Sequence, residues 1–265
     1  MQRKVIVVKI GGSTLGNHDT TLEDLVDLQK QGEPLVVVHG GAKVTTEWLA
    51  RLGIPTSFVN GLRVTDAESL KVVAAALGGL VNKELVVAIQ ALGGKAVGLS
   101  GCDGNLLWAS VRSPEMGYVG DIVAVDPTLL KLLLNAGYMP VVAPISFGSV
   151  EGKVMLLNVN GDTAAGEIAA ALAAEKLMFL TDVDGIHDGS EQIVHMLNMT
   201  EAKDMLASGA ASGGMIPKIE ASLRALTTTK VVRIINGRTA HALRDDISGK
   251  ARQMTKSGGT TIVAE

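Results

Sequence analysis

With 265 residues, 47% hydrophobic and 19% charged, the chain is long enough to bury a full core and has the composition of a globular protein. Aromatic residues make up only 3%, too few for base-stacking platforms, and the net charge of −3 argues against a dominant electrostatic interaction with nucleic acid or an anionic membrane. A single cysteine, Cys102, excludes an intramolecular disulfide framework and a CxxC zinc site.

Arg3 and Lys4 lead straight into a short apolar run, so no signal peptide is expected. The longest uncharged stretch, Leu132 to Val150, is broken by Asn135, Gly137, Pro140 and Pro144 and reads as helix end, turn and strand rather than a membrane span. A soluble, cytoplasmic protein is expected. Along the chain, apolar and β-branched runs predict strands near 5–9, 35–39, 96–100, 139–143, 177–181 and 231–235. Helical periodicity lies near 21–31, 43–52, 66–77, 82–92, 127–135, 162–174, 215–226 and 239–244. This alternation predicts an α/β fold with a mostly parallel sheet covered by helices on both faces. Between Asp103 and Val125 the pattern breaks at Pro114, Gly117 and Gly120, which suggests a hairpin or lid. The Ala-rich helix ending near Ala174 offers the best lobe boundary, dividing the chain into 1–174 and 175–265.

Chemistry concentrates first at Lys9. The run Val5-Ile6-Val7-Val8 ends in Lys9-Ile10-Gly11-Gly12, a cation and backbone amides at the carboxyl end of a strand, the edge where open α/β sheets bind ligands. Val36-Val37-Val38-His39-Gly40-Gly41 repeats the arrangement. Two such turns side by side would make a nest of N–H donors beside one lysine, suited to a transferring phosphoryl group. The common nucleotide fingerprints are missing: Gly94-Lys95, Gly152-Lys153 and Gly249-Lys250 are each followed by a residue other than Ser or Thr, and there is no GxGxxG. Asp162, in Asn160-Gly161-Asp162-Thr163, stands where a helix would start and an acid complements the helix dipole.

Five motifs follow one another in order: Lys9-Ile10-Gly11-Gly12, His39-Gly40-Gly41, Asn60-Gly61-Leu62-Arg63-Val64-Thr65-Asp66, Asn158-Val159-Asn160-Gly161-Asp162 and Gly214-Met215-Ile216-Pro217-Lys218. Together they resemble the N-acetylglutamate kinases of the amino acid kinase family, and the likeness runs on to Gly258-Gly259-Thr260. The resemblance implies a three-layer αβα sandwich whose N-terminal lobe binds an acyl-amino acid and dimerises, and whose C-terminal lobe binds ATP. It implies ATP-dependent phosphorylation of the side-chain carboxylate of N-acetyl-L-glutamate, giving N-acetyl-L-glutamyl 5-phosphate in arginine biosynthesis. Lys9 and Lys218 would bracket the moving phosphoryl, Asp162 would orient them, and Gly12 and Gly41 would complete the catalytic set. A guanidinium clamps a carboxylate through two parallel hydrogen bonds, the role implied for Arg63; Asn158 would hold the region of the substrate's α-carboxylate, and Gly40, Gly41 and Asn160 would complete the substrate site. ATP would lie on Lys9, Gly11, Thr181, Asp182, Val183, Asp184, Gly185, Ile186, His187, Ala210, Ala211, Ser212, Met215 and Lys218. Turn chemistry explains Asp184 and Asp188 as well as metal binding does, so no protein metal site is expected and Mg2+ would ride on the ATP phosphates.

One position departs from the family, which often has a third glycine where this chain has Ala42. Two alternatives share the fold: a carrier-protein-linked aminoadipate or glutamate kinase, and a non-catalytic amino acid or nucleotide sensor. The first would want a basic landing patch, and no basic run is present. The second has no need of Lys9, Asp162 and Lys218 together. With strand one starting so early, there is no room for the extra N-terminal helix of arginine-inhibited hexamers, so an arginine-insensitive homodimer is expected, with 78–92 as its face.

Overall fold

Residues 4–11, 20–59, 61–249 and 258–265 are described by a computed structural model of the chain. The opening apolar run forms β1 (Ile6–Ile10), buried throughout, and is followed by α1 (Thr21–Lys30) and β2 (Leu35–His39). Next come α2 (Ala42–Arg51), a short hairpin of β3 (Phe58–Val59) and β4 (Leu62–Arg63), and α3 (Ala67–Ala74). The Asp66 carboxylate accepts the Ser69 N–H at 2.7 Å and so caps α3.

Where two helices are predicted, α3 runs through a π-helical stretch, Ala75–Val81, directly into α4 (Asn82–Ala91). Gly78 and Gly79, which separate the two predictions, therefore lie inside one helix of 25 residues. By length and composition that helix could cross a membrane, but 44% of its most apolar window is buried within this fold, so much of its apolarity is core.

The chain continues through β5 (Ala96–Ser100), β6 (Leu107–Val111), β7 (Gly120–Val125), α5 (Thr128–Asn135), β8 (Met139–Ala143), β9 (Ile145–Val150), β10 (Lys153–Asn158) and α6 (Gly161–Ala171). It ends with β11 (Lys176–Thr181), β12 (Ile186–His187), β13 (Ile193–Val194), β14 (Met196–Asn198), α7 (Met199–Ala207), α8 (Met215–Ala225), β15 (Val231–Asn236), α9 (Ala242–Ile247) and β16 (Thr260–Val263).

Eight strands form the central sheet in the order β14-β16-β15-β11-β1-β2-β8-β5. Every neighbouring pair is parallel except β15 and β16. The expected hairpin in 103–125 is β6–β7, and it joins an unpredicted hairpin, β9–β10, in a second sheet of order β10-β9-β6-β7. The last predicted helix starts three residues late because His241 holds a left-handed φ of 58° just before α9.

Strand alternation assigns residues to faces. Val7, Val36, Val38, Leu177 and Phe179 pack in one core with Ile168 of α6 and Ile219 of α8. Ile6, Val8, Ile10, Leu35, Val37, Met178 and Leu180 pack in the other with Leu25 of α1 and Ile89 of α4. Side chains point alternately up and down a strand. Lys9 therefore belongs to the α6 and α8 face with Val7, and His39 belongs to the α4 face with Val37. The two sides of the site follow from that parity.

Candidate active site

On the first face a buried carboxylate sits between two lysines. Lys9 is carried to the end of β1, Asp162 to the first turn of α6, and Lys218 to the first turns of α8. Lys9 Nζ is 2.8 Å from Asp162 Oδ1, and Lys218 Nζ is 3.1 Å from Oδ2. Lys218 also donates to the Gly214 carbonyl at 3.1 Å. Lys9 is the partner of the buried Oδ1, and Lys218 that of Oδ2. Side-chain exposures of 10%, 6% and 15% for Lys9, Asp162 and Lys218 mean that little water screens the cluster. Burial pushes the Asp162 carboxyl up, but the two lysines outweigh it and the net shift is downward. Asp162 is thus the fixed counter-charge of the cluster and one negative charge short of neutralising it.

A cavity of about 370 Å³ opens beside this cluster, lined by Lys9, Gly40, Gly41, Arg63, Asn158 and Asp162 among others. The start of α2, the positive end of a helix dipole, is part of its lining. The predicted glycine amides are not equivalent. Gly40 N–H donates to the Ile10 carbonyl at 3.0 Å and Gly11 N–H to Leu180 at 3.2 Å. Among the described glycines of these two turns, Gly41 is the one whose N–H makes no such bond. A Cβ at Gly41 would meet Leu77 Cδ2 at 2.5 Å and Val81 Cγ2 at 3.3 Å, so the π-helical stretch approaches too closely for any other residue without displacement. Ala42, the departure from the family pattern, is the first residue of α2 and lines the cavity. Gly12 and Asn60 lie outside the described residues.

Arg63 is buried with its guanidinium 4.7 Å above the Phe58 ring. Nη2 donates to Thr46 Oγ1 and the Ala42 carbonyl, whereas Nη1 is buried without a hydrogen-bond partner among the described residues. An unpaired, charged donor lining a cavity is costly unless an acceptor arrives. Across the cavity, Asn158 donates from Nδ2 to Thr65 Oγ1 at 3.0 Å. Asn160 has its Oδ1 occupied as the cap of α6, accepting from Asp162 and Thr163 N–H at 2.8 and 3.1 Å, which leaves only its amide nitrogen for a ligand.

The predicted nucleotide residues gather elsewhere, at the carboxyl ends of β11 and β15 and before α8. Thr181 closes β11, Asp182 to Gly185 turn, and Ile186 and His187 form β12. Asp184 accepts from Asn236 at 2.7 Å and Asp182 lies 3.6 Å from Arg238. Ala210, Ala211 and Ser212 bridge α7 and α8, with Met215 N–H bonded to the Ser212 carbonyl. None of these residues lines the 370 Å³ cavity, which reaches the cluster only from the Lys9 side. Asp188 folds onto the Ser190 and Gln192 amides, and no group of three or more His, Cys, Asp or Glu converges among the described residues.

On the opposite face lies a motif residue to which the sequence assigns no role. His39 is fully buried, its Nδ1 2.7 Å from the Gly40 carbonyl and its Nε2 3.1 Å from Asn82 Nδ2. Those partners require Nδ1 to donate and Nε2 to accept, a neutral ring. Burial drives the pKa from 6.5 down to about 4, with Lys9 and Lys83 adding to it against the Gly40 bond. Between those values the unfolded chain holds one more proton than the folded one. Stability should therefore fall as pH drops through that window, by roughly 1.4 kcal/mol per unit from this residue. Urea unfolding at pH 6.5 and 5 should show a loss larger by roughly 2 kcal/mol in the wild type than in His39→Gln; equal losses would mean that His39 is protonated in the fold.

A buried acid between two lysines, beside a cavity, carries net positive charge and can offset the charge of anions brought together there. The sequence profile described as the Amino acid kinase family matches residues 4–236. The acetylglutamate kinase of Dehalococcoides mccartyi strain CBDB1 is 43% identical, over 98% of this chain and 95% of its own. A structure from Streptococcus mutans UA159 superposes with a TM-score of 0.82 at 27% identity, over 98% of this chain and 99% of that one. An N-acetylglutamate synthase from Neisseria gonorrhoeae, complexed with coenzyme A and N-acetyl-glutamate, superposes with a TM-score of 0.81 at 27% identity, over all of this chain and 60% of that one. The chain belongs to the amino acid kinase family.

Proposed function

We propose that the protein phosphorylates the side-chain carboxylate of N-acetyl-L-glutamate with ATP; its Dehalococcoides relative bears the name acetylglutamate kinase. The observation that carries this reading is the Lys9–Asp162–Lys218 cluster, with the cavity on its Lys9 side and the β11 and α8 loops on its Lys218 side. The acyl-amino acid occupies the cavity, its α-carboxylate on Arg63 and its acylamide beside Asn158. ATP lies along Gly11, 181–187, 210–212 and Met215, and the parts 1–174 and 175–265 divide the two substrates between them. A carboxylate oxygen attacks the γ-phosphorus, the bond to the β,γ-bridging oxygen breaks, and its electron pair leaves on ADP. Little covalent help is needed; charge must be neutralised and two anions held together. Lys9, Lys218 and the Gly41 N–H do this. Mg2+, carried by the nucleotide, would neutralise charge on the β- and γ-phosphates.

The reading includes a cytoplasmic homodimer built on 78–92. Val87 on this helix is 64% exposed and Leu92, just past its end, 39%, and no neighbour lies within 4 Å of a Cβ built at Gly78 or Gly79.

The test is ADP release with Mg-ATP and N-acetylglutamate, glutamate or N-acetyl-aminoadipate, with hydroxylamine trapping the acyl phosphate. A hydroxamate from N-acetylglutamate alone is expected, from a protein of twice the chain mass by light scattering. Silence on all three would sink the reading, and strong inhibition by arginine or a hexameric mass would sink its arginine-insensitive dimer.

A further inference from the structure

Thr65 stands between two residues of the acyl-substrate cavity, and its hydroxyl has only one proton. That oxygen lies 3.0 Å from the Arg63 carbonyl, to which it donates, and 3.0 Å from Asn158 Nδ2, from which it accepts. The backbone that carries the hydroxyl is held on both sides. Thr65 is fully buried, its N–H is bonded to the Met116 carbonyl at 3.1 Å, and its own carbonyl takes the Tyr118 N–H at 2.7 Å. Asn158 is held from the same side, its N–H on the Tyr118 carbonyl at 2.9 Å.

A hydroxyl offers one donor and two lone pairs, and an amide carries donors on one end and acceptors on the other. With its proton on the Arg63 carbonyl, Thr65 Oγ1 can only receive. The Asn158 carboxamide must turn its nitrogen to Thr65, and its oxygen is then turned away from Thr65. A reversed carboxamide would pull the proton off the Arg63 carbonyl or set two acceptors against each other. Asn158 Oδ1 has no hydrogen-bond donor among the described residues, and Asn158 lines the cavity.

We propose that Thr65 is a positioning residue that fixes the polarity of Asn158, so that the cavity presents a hydrogen-bond acceptor and selects substrates carrying an N–H at that point. This rests on the reading of the cavity as the N-acetylglutamate site and deepens it. The same hydroxyl ties Asn158 to the backbone of Arg63, so the carboxylate clamp and the N–H acceptor keep a fixed spacing. An N-acyl amino acid meets both. An isosteric ester, with oxygen in place of the N–H, meets the clamp but sets its own lone pairs against Asn158 Oδ1.

The test compares N-acetylglutamate with 2-acetoxyglutarate, its ester isostere, as phosphoryl acceptors. For the wild type kcat/KM should fall by about 100-fold or more with the ester, because a site built for a hydrogen bond rejects an analogue that lacks it. In Thr65→Val the carboxamide is free to turn, and the ratio between the two substrates should narrow to about tenfold or less, with the N-acetylglutamate KM raised. Thr65→Ser keeps the hydroxyl and should restore the wild-type ratio. A purely structural role for Thr65 would lower both substrates together and leave the ratio alone, which would overturn the proposal. So would a wild type that accepts the ester within about threefold of the amide, a comparison that stands even if Thr65→Val does not fold. A wild type inactive with N-acetylglutamate is a different result, since it overturns the function reading on which the proposal rests.

Discussion

Lys218→Met and Lys9→Met are each expected to lower kcat by about 10²–10³-fold, the scale of removing one preorganised contact to developing charge. Methionine keeps the length and apolar stem of each lysine and removes the charge. Arginine is no conservative stand-in, because a planar fork does not fit where a compact ammonium meets one carboxylate oxygen. The two variants should differ in KM. Lys9 lines the 370 Å³ cavity, and its loss should raise KM for the carboxylate substrate, whereas Lys218 stands outside that cavity. Both lysines hold the same Asp162 carboxylate, so they act as a unit, and the double variant should cost clearly less than the product of the singles. Steady-state rates with hydroxamate detection would check this. A single variant within about tenfold of the wild type would remove that lysine from the transition state.

Much of this site is legible in the sequence because it follows local rules. A β-branched run ending in Lys9 and glycine names a strand end, and strand parity then sends the lysine to the α6 face. Asn160-Gly161-Asp162 names a helix start, and the cap bonds from Asn160 place the acid in the first turn. What escapes depends on distant partners. Glycines at 78 and 79 look like a break, yet the helix absorbs them in a π-helical stretch that packs on Gly41. Short strands β9 and β10 gain their stability from each other and from β6, which no local window contains. The α7 helix is absent from the predicted set although Asn198 and Glu201 form a reciprocal capping box, a signal that a scan for that pair would find. The inequality of the Gly40 and Gly41 amides is likewise a matter of sheet register. Gly40 continues the β1–β2 ladder by one bond, and that bond removes its donor.

Asp162→Asn should be the most destabilising isosteric change in the site. It preserves shape, so the loss is one of charge alone: two ammonium groups remain, 10% and 15% exposed, with no counter-ion. Removing one partner of a buried ion pair leaves an uncompensated charge and costs about 3–5 kcal/mol, or a fall in Tm of about 10 °C for a chain of this size. Part of that loss should return with ATP or inorganic phosphate, because an anion bound between the lysines replaces the missing charge and binds only the folded state. Differential scanning calorimetry with and without phosphate should thus give a larger ligand-induced rise in Tm for the variant than for the wild type. The pH dependence should change as well. The wild-type carboxyl is held below its usual range, so its contribution is complete above about pH 4 and is lost as pH falls through the lower folded value. The carboxamide of the variant cannot titrate, so that acid limb should be missing from its stability profile. An unchanged Tm, or a phosphate effect no larger than in the wild type, would mean that the lysines do not depend on Asp162 for their charge balance, and the cluster would no longer support phosphoryl transfer.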